Sequence, residues 1–96
     1  MSGFVVLPRA RADLREVWNY TADRWSEDQA DRYIGQLHRG METIANDPRK
    51  GRRCDNIRQG YLRYSVGAHV LFFRIADGRI EIVRVLHQSM DFARHL

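Results

Sequence analysis

The hydrophobic pattern opens with Phe4-Val5-Val6-Leu7, an unbroken apolar run that predicts a short, mostly buried first strand. Pro8 comes next, and its fixed backbone angle suits the first position of a helix. Leu14, Val17, Trp18, Thr21 and Trp25 then recur at helical spacing, while Arg11, Asp13, Arg15, Glu16 and Asp23 fall mostly outside that stripe. Ser26-Glu27-Asp28-Gln29 has the form of a capping box, the serine accepting from the Gln29 amide and the glutamine reaching back. It starts a second helix at Glu27, with a stripe of Ala30, Tyr33, Ile34, Leu37, Met41, Ile44 and Ala45, and Asn46-Asp47-Pro48 stops it. Two helices with so short a joint predict an antiparallel hairpin. Gly35 and Gly40 each cost the second helix about 1 kcal/mol against alanine, which a close approach by another backbone would explain.

Residues 47 to 60 are polar and basic and predict a surface connection. Three strands follow: Tyr61 to Val66, His69 to Ala76 after a Gly67-Ala68 turn, and Arg79 to His87 after the hairpin signal Asp77-Gly78. Residues 88 to 96 form either a short helix or a loose tail. The fold class is thus α+β, one domain over residues 1–96: a strand, a helix hairpin and a three-stranded antiparallel sheet. Pairing Ala76 with Arg79 and stepping outward sorts the side chains onto two faces. Leu71, Phe73, Ile75, Ile80, Ile82 and Leu86 face the helices, with His69 and Arg84 near one end. Val70, Phe72, Val83 and Val85 face away, with Arg74 opposite Glu81 and His87 at the far end. That second face is either an apolar groove for a partner or the bed of the chain's own tail.

Composition narrows the classes. A chain of 96 residues buries roughly 60–65% of its unfolded surface, enough for one core. The longest apolar runs fall far short of a membrane span, and residues 1–7 lack the basic start and length of a signal peptide, so a cytoplasmic location is expected. Cys54 stands alone, which excludes an internal disulfide, and the four histidines show no metal-ligand spacing. Net charge is +4, and all but Lys50 of the 16 basic residues are arginine. GC-rich codon usage accounts for that preference as well as attraction to an acidic partner does. The basic residues form no single stripe, so direct DNA binding is not expected. His69 and His87 fall on opposite faces in this register, and Ser65 and Ser89 have no matched base and carboxylate. No catalytic residue, cofactor or metal is predicted, and His87 is the one candidate for chemistry beside a structural role.

Three segments carry a family resemblance that spans nearly the whole chain. Ala12-Asp13-Leu14 with Trp18, then Asn56-Ile57-Arg58-Gln59-Gly60-Tyr61-Leu62-Arg63, and above all Gly67 to Arg74 followed by Ile82-Val83-Arg84-Val85-Leu86-His87-Gln88-Ser89-Met90-Asp91, resemble the RelE/ParE toxin superfamily. The Val-Leu-His-Gln-Ser-Met-Asp ending resembles the ParE branch. That resemblance implies a type II toxin that inhibits DNA gyrase without catalysis and is held by a ParD-like ribbon-helix-helix antitoxin in a hetero-oligomer. It implies target contacts at Arg84, His87, Met90, Asp91 and Arg94. Antitoxin contacts are expected on the apolar face at Val70, Phe72, Arg74, Val83 and Val85. For Arg84, an ion pair inside the fold is the alternative. The other branch cuts mRNA on the ribosome with a fixed cation where Val70 stands here. A nuclease of that kind would rest on His87 with Arg58, Arg63 and Arg74.

Overall fold

In the computed structural model, which describes residues 3–96, a five-stranded sheet has the order β1-β5-β4-β3-β2. The strands are β1 (Phe4–Val6), β2 (Arg52–Arg53), β3 (Leu62–Val66), β4 (His69–Ala76) and β5 (Arg79–His87); the helices are α1 (Pro8–Arg24) and α2 (Glu27–Asn46). β1 runs parallel to β5, and the other pairs are antiparallel. The predicted three-stranded sheet is therefore its centre, widened by the N-terminal strand and by a two-residue edge strand within the predicted surface connection. A 3-10 turn at Phe92–Arg94 supplies the short C-terminal helix. No helix among the described residues is long and apolar enough to cross a membrane.

The local signals act as their chemistry requires. Ser26 accepts from the Gln29 amide at 3.1 Å, and Pro8 occupies the first turn of α1. Asp77 and Gly78, at φ 52° and 76°, turn the β4–β5 hairpin in the left-handed conformation that this dipeptide tolerates. Trp18 donates its indole proton to Asp31 at 2.9 Å and ties the helices together. Against the expectation for Gly40, the crowding neighbour is a side chain: a Cβ there would sit 2.5 Å from Val66 Cγ2. Nothing in the structure explains Gly35.

The strand register departs from the simple hairpin at one point. Phe73 pairs with Ile82 but Phe72 pairs with Arg84, so Val83 is an extra residue and β5 bulges there. Every residue beyond the bulge changes face relative to the sequence-based expectation. Val85 turns into the core beneath the helices with Leu71, Phe73 and Ile82, while Leu86 joins Val70, Phe72 and Val83 on the other side. His69 and His87, expected on opposite faces, become a cross-strand pair with ring centroids 5.3 Å apart.

The second face is not an open groove. Phe92 meets Phe72 edge to face with ring centroids 5.0 Å apart, and Leu96, Leu7, Ile57 and Tyr61 complete the cover, with Cys54 buried among them. Two arginines hold the tail in place: Arg58 donates to the Leu96 carbonyl at 3.1 Å and Arg84 to the His95 carbonyl at 2.9 Å. The connection expected to lie on the surface is thus partly core. Gly51, within it, faces Phe73, and a Cβ there would lie 2.3 Å from the end of a fully buried ring. We expect Gly51→Ala to cost about 1–3 kcal/mol by overpacking, read as a lower urea midpoint at unchanged slope; an unshifted midpoint would show that the ring can move aside.

Candidate functional site: the groove between α1 and the free edge of β5

β1 ends at Val6, opposite Ile82, and the chain turns away into α1. From Val83 onward no strand among the described residues lies beside the outer edge of β5. Asp13, on the first turns of α1, partly takes the place of that strand. Its carboxylate accepts the Val85 amide at 2.9 Å and grips Arg84 with two bonds, Nε at 2.8 Å and Nη2 at 3.0 Å. The pair is largely buried, the two side chains being 12% and 11% exposed. The Asp13 carboxylate raises the Arg84 pKa above the ordinary guanidinium value, so the charge is permanent.

Alternation along the strand turns the Val85 carbonyl and the His87 amide to the same edge as the Val85 amide. They border a cavity of about 660 Å³ between α1, the start of α2, β5 and the tail. Val17 and Thr21 line it from α1, Tyr33 from α2, and Met90 from the tail, with Tyr20 and Trp25 at the tip of the helix hairpin. Tyr20 and Trp25 are 60% and 65% exposed. Trp25, expected in the apolar stripe, instead sits beyond the last turn of α1, where Arg24 lies 5.9 Å from its ring and from that of Tyr20.

A polar relay closes one end of the groove. The Ala68 amide donates to the Tyr33 oxygen at 3.1 Å, and the same oxygen lies 2.6 Å from Nδ1 of His69 in a second hydrogen bond. The Ser89 amide donates to Nδ1 of His87 at 3.1 Å, and the Ser89 hydroxyl lies 2.7 Å from the same nitrogen. Burial, and then the neighbouring His87, lower the His69 pKa below its ordinary value; burial raises that of Tyr33, so both stay neutral at pH 7.

The family of ParE toxins of type II toxin–antitoxin systems (parDE) matches residues 4–92 of the chain. The chain belongs to the ParE toxin family. It is 47% identical over 96 residues to Toxin ParE1 of Mycobacterium tuberculosis, covering 99% of this chain and 98% of that protein. It is 46% identical over 88 residues to Toxin ParE1 of Caulobacter vibrioides, covering 92% and 91%. Among solved structures it is similar to a chain of the chromosomal ParDE toxin–antitoxin system from P. aeruginosa, with a TM-score of 0.79 at 15% identity, covering 91% of this chain and 96% of that one. It also resembles a chain of the RelBE2 toxin–antitoxin complex from M. tuberculosis, with a TM-score of 0.68 at 20% identity and coverage of 91% and 98%. At these identities the two structures establish the fold.

Within that ParE fold the predicted site residues divide into three groups. Met90, Asp91 and Arg94 lie exposed on the tail, and His87 is exposed at the groove. Arg84 takes its alternative role, paired inside the fold with Asp13. Val70, Phe72, Val83 and Val85 are buried under the chain's own tail and helices, and Arg74 is bonded to Glu81 across the strands at 2.7 Å. The expected open apolar face is thereby corrected: the ParE tail fills it, and the open apolar surface is the groove on the other side of β5. The sequence pattern alone does not point to Asp13, Tyr20, Trp25 and Tyr33 as lining that groove. A usable signal was Asp13 inside the Ala12-Asp13-Leu14 motif, a carboxylate one position before the apolar stripe begins.

Proposed function

We propose that this ParE-family toxin inhibits DNA gyrase by direct contact, without catalysis of its own. In the same reading it is neutralised by a ParD-like ribbon-helix-helix antitoxin, an extended segment of which lies in the groove between α1 and β5. Such a segment adds backbone bonds at the unpaired Val85 carbonyl and His87 amide and buries side chains against Tyr20, Trp25 and Met90. Trp, Tyr and Arg, the residue types at the hairpin tip, are those that dominate binding energy at interfaces. With gyrase as target, the toxin works in the cytoplasm.

The observation that carries the non-catalytic reading is the separation of the groups a nuclease would bring together. Arg63 stands opposite Phe72, and Arg74, two residues along β4 from Phe72, shares that tail-covered face, where Arg58 grips the tail. His87 and His69 lie toward Tyr33 and the helices. These three arginines and the imidazoles therefore occupy opposite sides of the sheet, and Arg84, the cation that shares the groove with the imidazoles, is committed to Asp13.

Purified chain added to gyrase and relaxed plasmid tests the proposal. Supercoiling is expected to stop, with cleaved DNA accumulating. Met90→Ala with Arg94→Glu, two exposed tail positions, is expected to raise the required toxin concentration on the order of tenfold without changing stability. Undiminished supercoiling at large molar excess would remove gyrase as the target, and ribosome-dependent mRNA cleavage would replace the reading altogether.

A further inference from the structure

We infer that the groove accepts its occupant in one polarity: an extended segment parallel to β5, one residue of which closes both free hydrogen bonds of the edge, with an apolar side chain on either side of that residue. The inference rests on the antitoxin reading above and names the direction and side-chain pattern of the segment.

Two residues of β5, Val85 and His87, turn their backbone groups to this edge, and each already has one group taken. The Val85 amide is bonded to Asp13 at 2.9 Å, and the His87 carbonyl accepts the Met90 amide at 3.0 Å. Among the described residues this leaves one acceptor, the Val85 carbonyl, and one donor, the His87 amide. Leu86, between them, turns its own backbone groups the other way, toward Val70 of β4.

A strand can approach such an edge in two directions, and the two caps distinguish them. In a parallel ladder one residue lies opposite Leu86 and sends both its N–H and its C=O to this edge, to the Val85 carbonyl and the His87 amide. Both free groups are satisfied and that residue disturbs neither cap. In an antiparallel ladder the two bonds come from two residues, one opposite Val85 and one opposite His87, and each brings a second polar group to the edge. The carbonyl of the first is aimed at the Val85 amide, which Asp13 holds; the amide of the second is aimed at the His87 carbonyl, which Met90 holds. Each is left without a partner on a covered edge, at a cost at least as large as one such bond returns.

β1 runs in the same direction. It lies parallel to β5 on this edge and leaves it at Leu7, whose amide is bonded to the Ile82 carbonyl at 3.0 Å. A parallel occupant continues the lane that β1 vacates. Its residue opposite Leu86 shares the face of Leu86, on the side of the tail. The residues before and after it point to the other face, where Val17, Tyr20 and Trp25 line the cavity, and apolar side chains there bury those surfaces.

Fragments of the antitoxin encoded beside this chain, added to the isotope-labelled full chain, test the polarity by nuclear magnetic resonance. The shortest fragment that moves the His87 amide signal carries a nitroxide at its N-terminal or its C-terminal end. The N-terminal label is expected to broaden the signals of Leu7 and Asp13, and the C-terminal label those of Ala68 and His69. N-methylation of the residue between the two apolar side chains is expected to weaken binding about tenfold, and N-methylation of either flanking residue much less. His87→Pro removes the one free donor at a strand edge, where proline is tolerated, and is expected to bind about tenfold more weakly than His87→Ala. The N-methyl series uses the wild-type chain and so holds even if the proline variant fails to fold. Reversed broadening, or sensitivity to N-methylation at an apolar flank in place of the residue between, overturns the polarity and leaves the antitoxin reading standing. Full-length antitoxin that does not bind, or binds without moving the Val85 and His87 signals, overturns the antitoxin reading of the groove and the polarity with it.

Discussion

Asp13→Ala is expected to destabilise the fold by about 3–5 kcal/mol, the cost of leaving one partner of a buried ion pair without the other. Three bonds end on this carboxylate, two from the Arg84 guanidinium and one from the Val85 amide. Alanine leaves a permanent positive charge at a site where Arg84 is only 12% exposed, and an edge amide without an acceptor. Small domains hold about 5–15 kcal/mol in total, so this one change removes a large share of the margin. For a chain near this length the melting temperature should fall on the order of 20 °C. Asp13→Asn, which retains one acceptor for the amide, should lose less. The double variant Asp13→Ala/Arg84→Met should recover part of the loss, because no charge remains buried. Calorimetric melting of the four proteins decides the matter: a single variant within 1 kcal/mol of wild type would mean that water reaches Arg84 and the pair is ornamental.

The same residue shows how far the sequence could be read. Strand, helix hairpin and β-hairpin were legible because each has a local signal: Pro8, the Ser26–Gln29 cap, Asp77-Gly78. Asp13 was not, because a carboxylate beside an apolar stripe looks solvated until its partner, 71 residues away, is placed. Placing Arg84 depends in turn on the bulge at Val83, and Ile82-Val83-Arg84-Val85 carries no glycine or proline to announce one. One inserted residue exchanges Val85 with Leu86 and moves His87 to the side of His69. Through that one residue the later side chains of β5, and with them the lining of the groove, exchange faces. Arg84 as an internal partner and the tail as a cover were both present as alternatives. What chose between them was a long-range contact, Phe92 on Phe72, that spacing along the chain does not encode. Trp25 failed for a different reason: it continues the stripe of α1 in number, but the helix ends one residue earlier at Arg24, and its ring is left outside.

Phe72→Ala is expected to have an effect of similar size by another route, and the contrast isolates the tail. The ring is fully buried at the centre of the second cluster, against Phe92 and near Val70, Val83 and Leu86. Removing it costs about 3–5 kcal/mol in lost burial and cavity, as for a core phenylalanine elsewhere. Unlike Asp13→Ala, it takes away the surface on which residues 88–96 rest, leaving the tail held mainly by Arg58 and Arg84 through two carbonyls. Hydrogen bonds of that kind contribute about 0.5–3 kcal/mol each, too little to replace an aromatic anchor. The tail of Phe72→Ala should therefore become a preferred site of limited proteolysis at temperatures where the sheet is still folded, whereas Asp13→Ala should be cut throughout as it unfolds globally. Because Met90, Asp91 and Arg94, the target contacts proposed above, are carried on that tail, Phe72→Ala should also lose the proposed gyrase inhibition before it loses its circular dichroism. Phe92→Ala removes the same edge-to-face contact from the half-buried side, with a smaller loss of core, and should reproduce the functional defect at less cost in stability. If Phe92→Ala inhibits gyrase as well as wild type while its tail is open to protease, target contact does not depend on how the tail is held, and its residues act as a flexible segment instead.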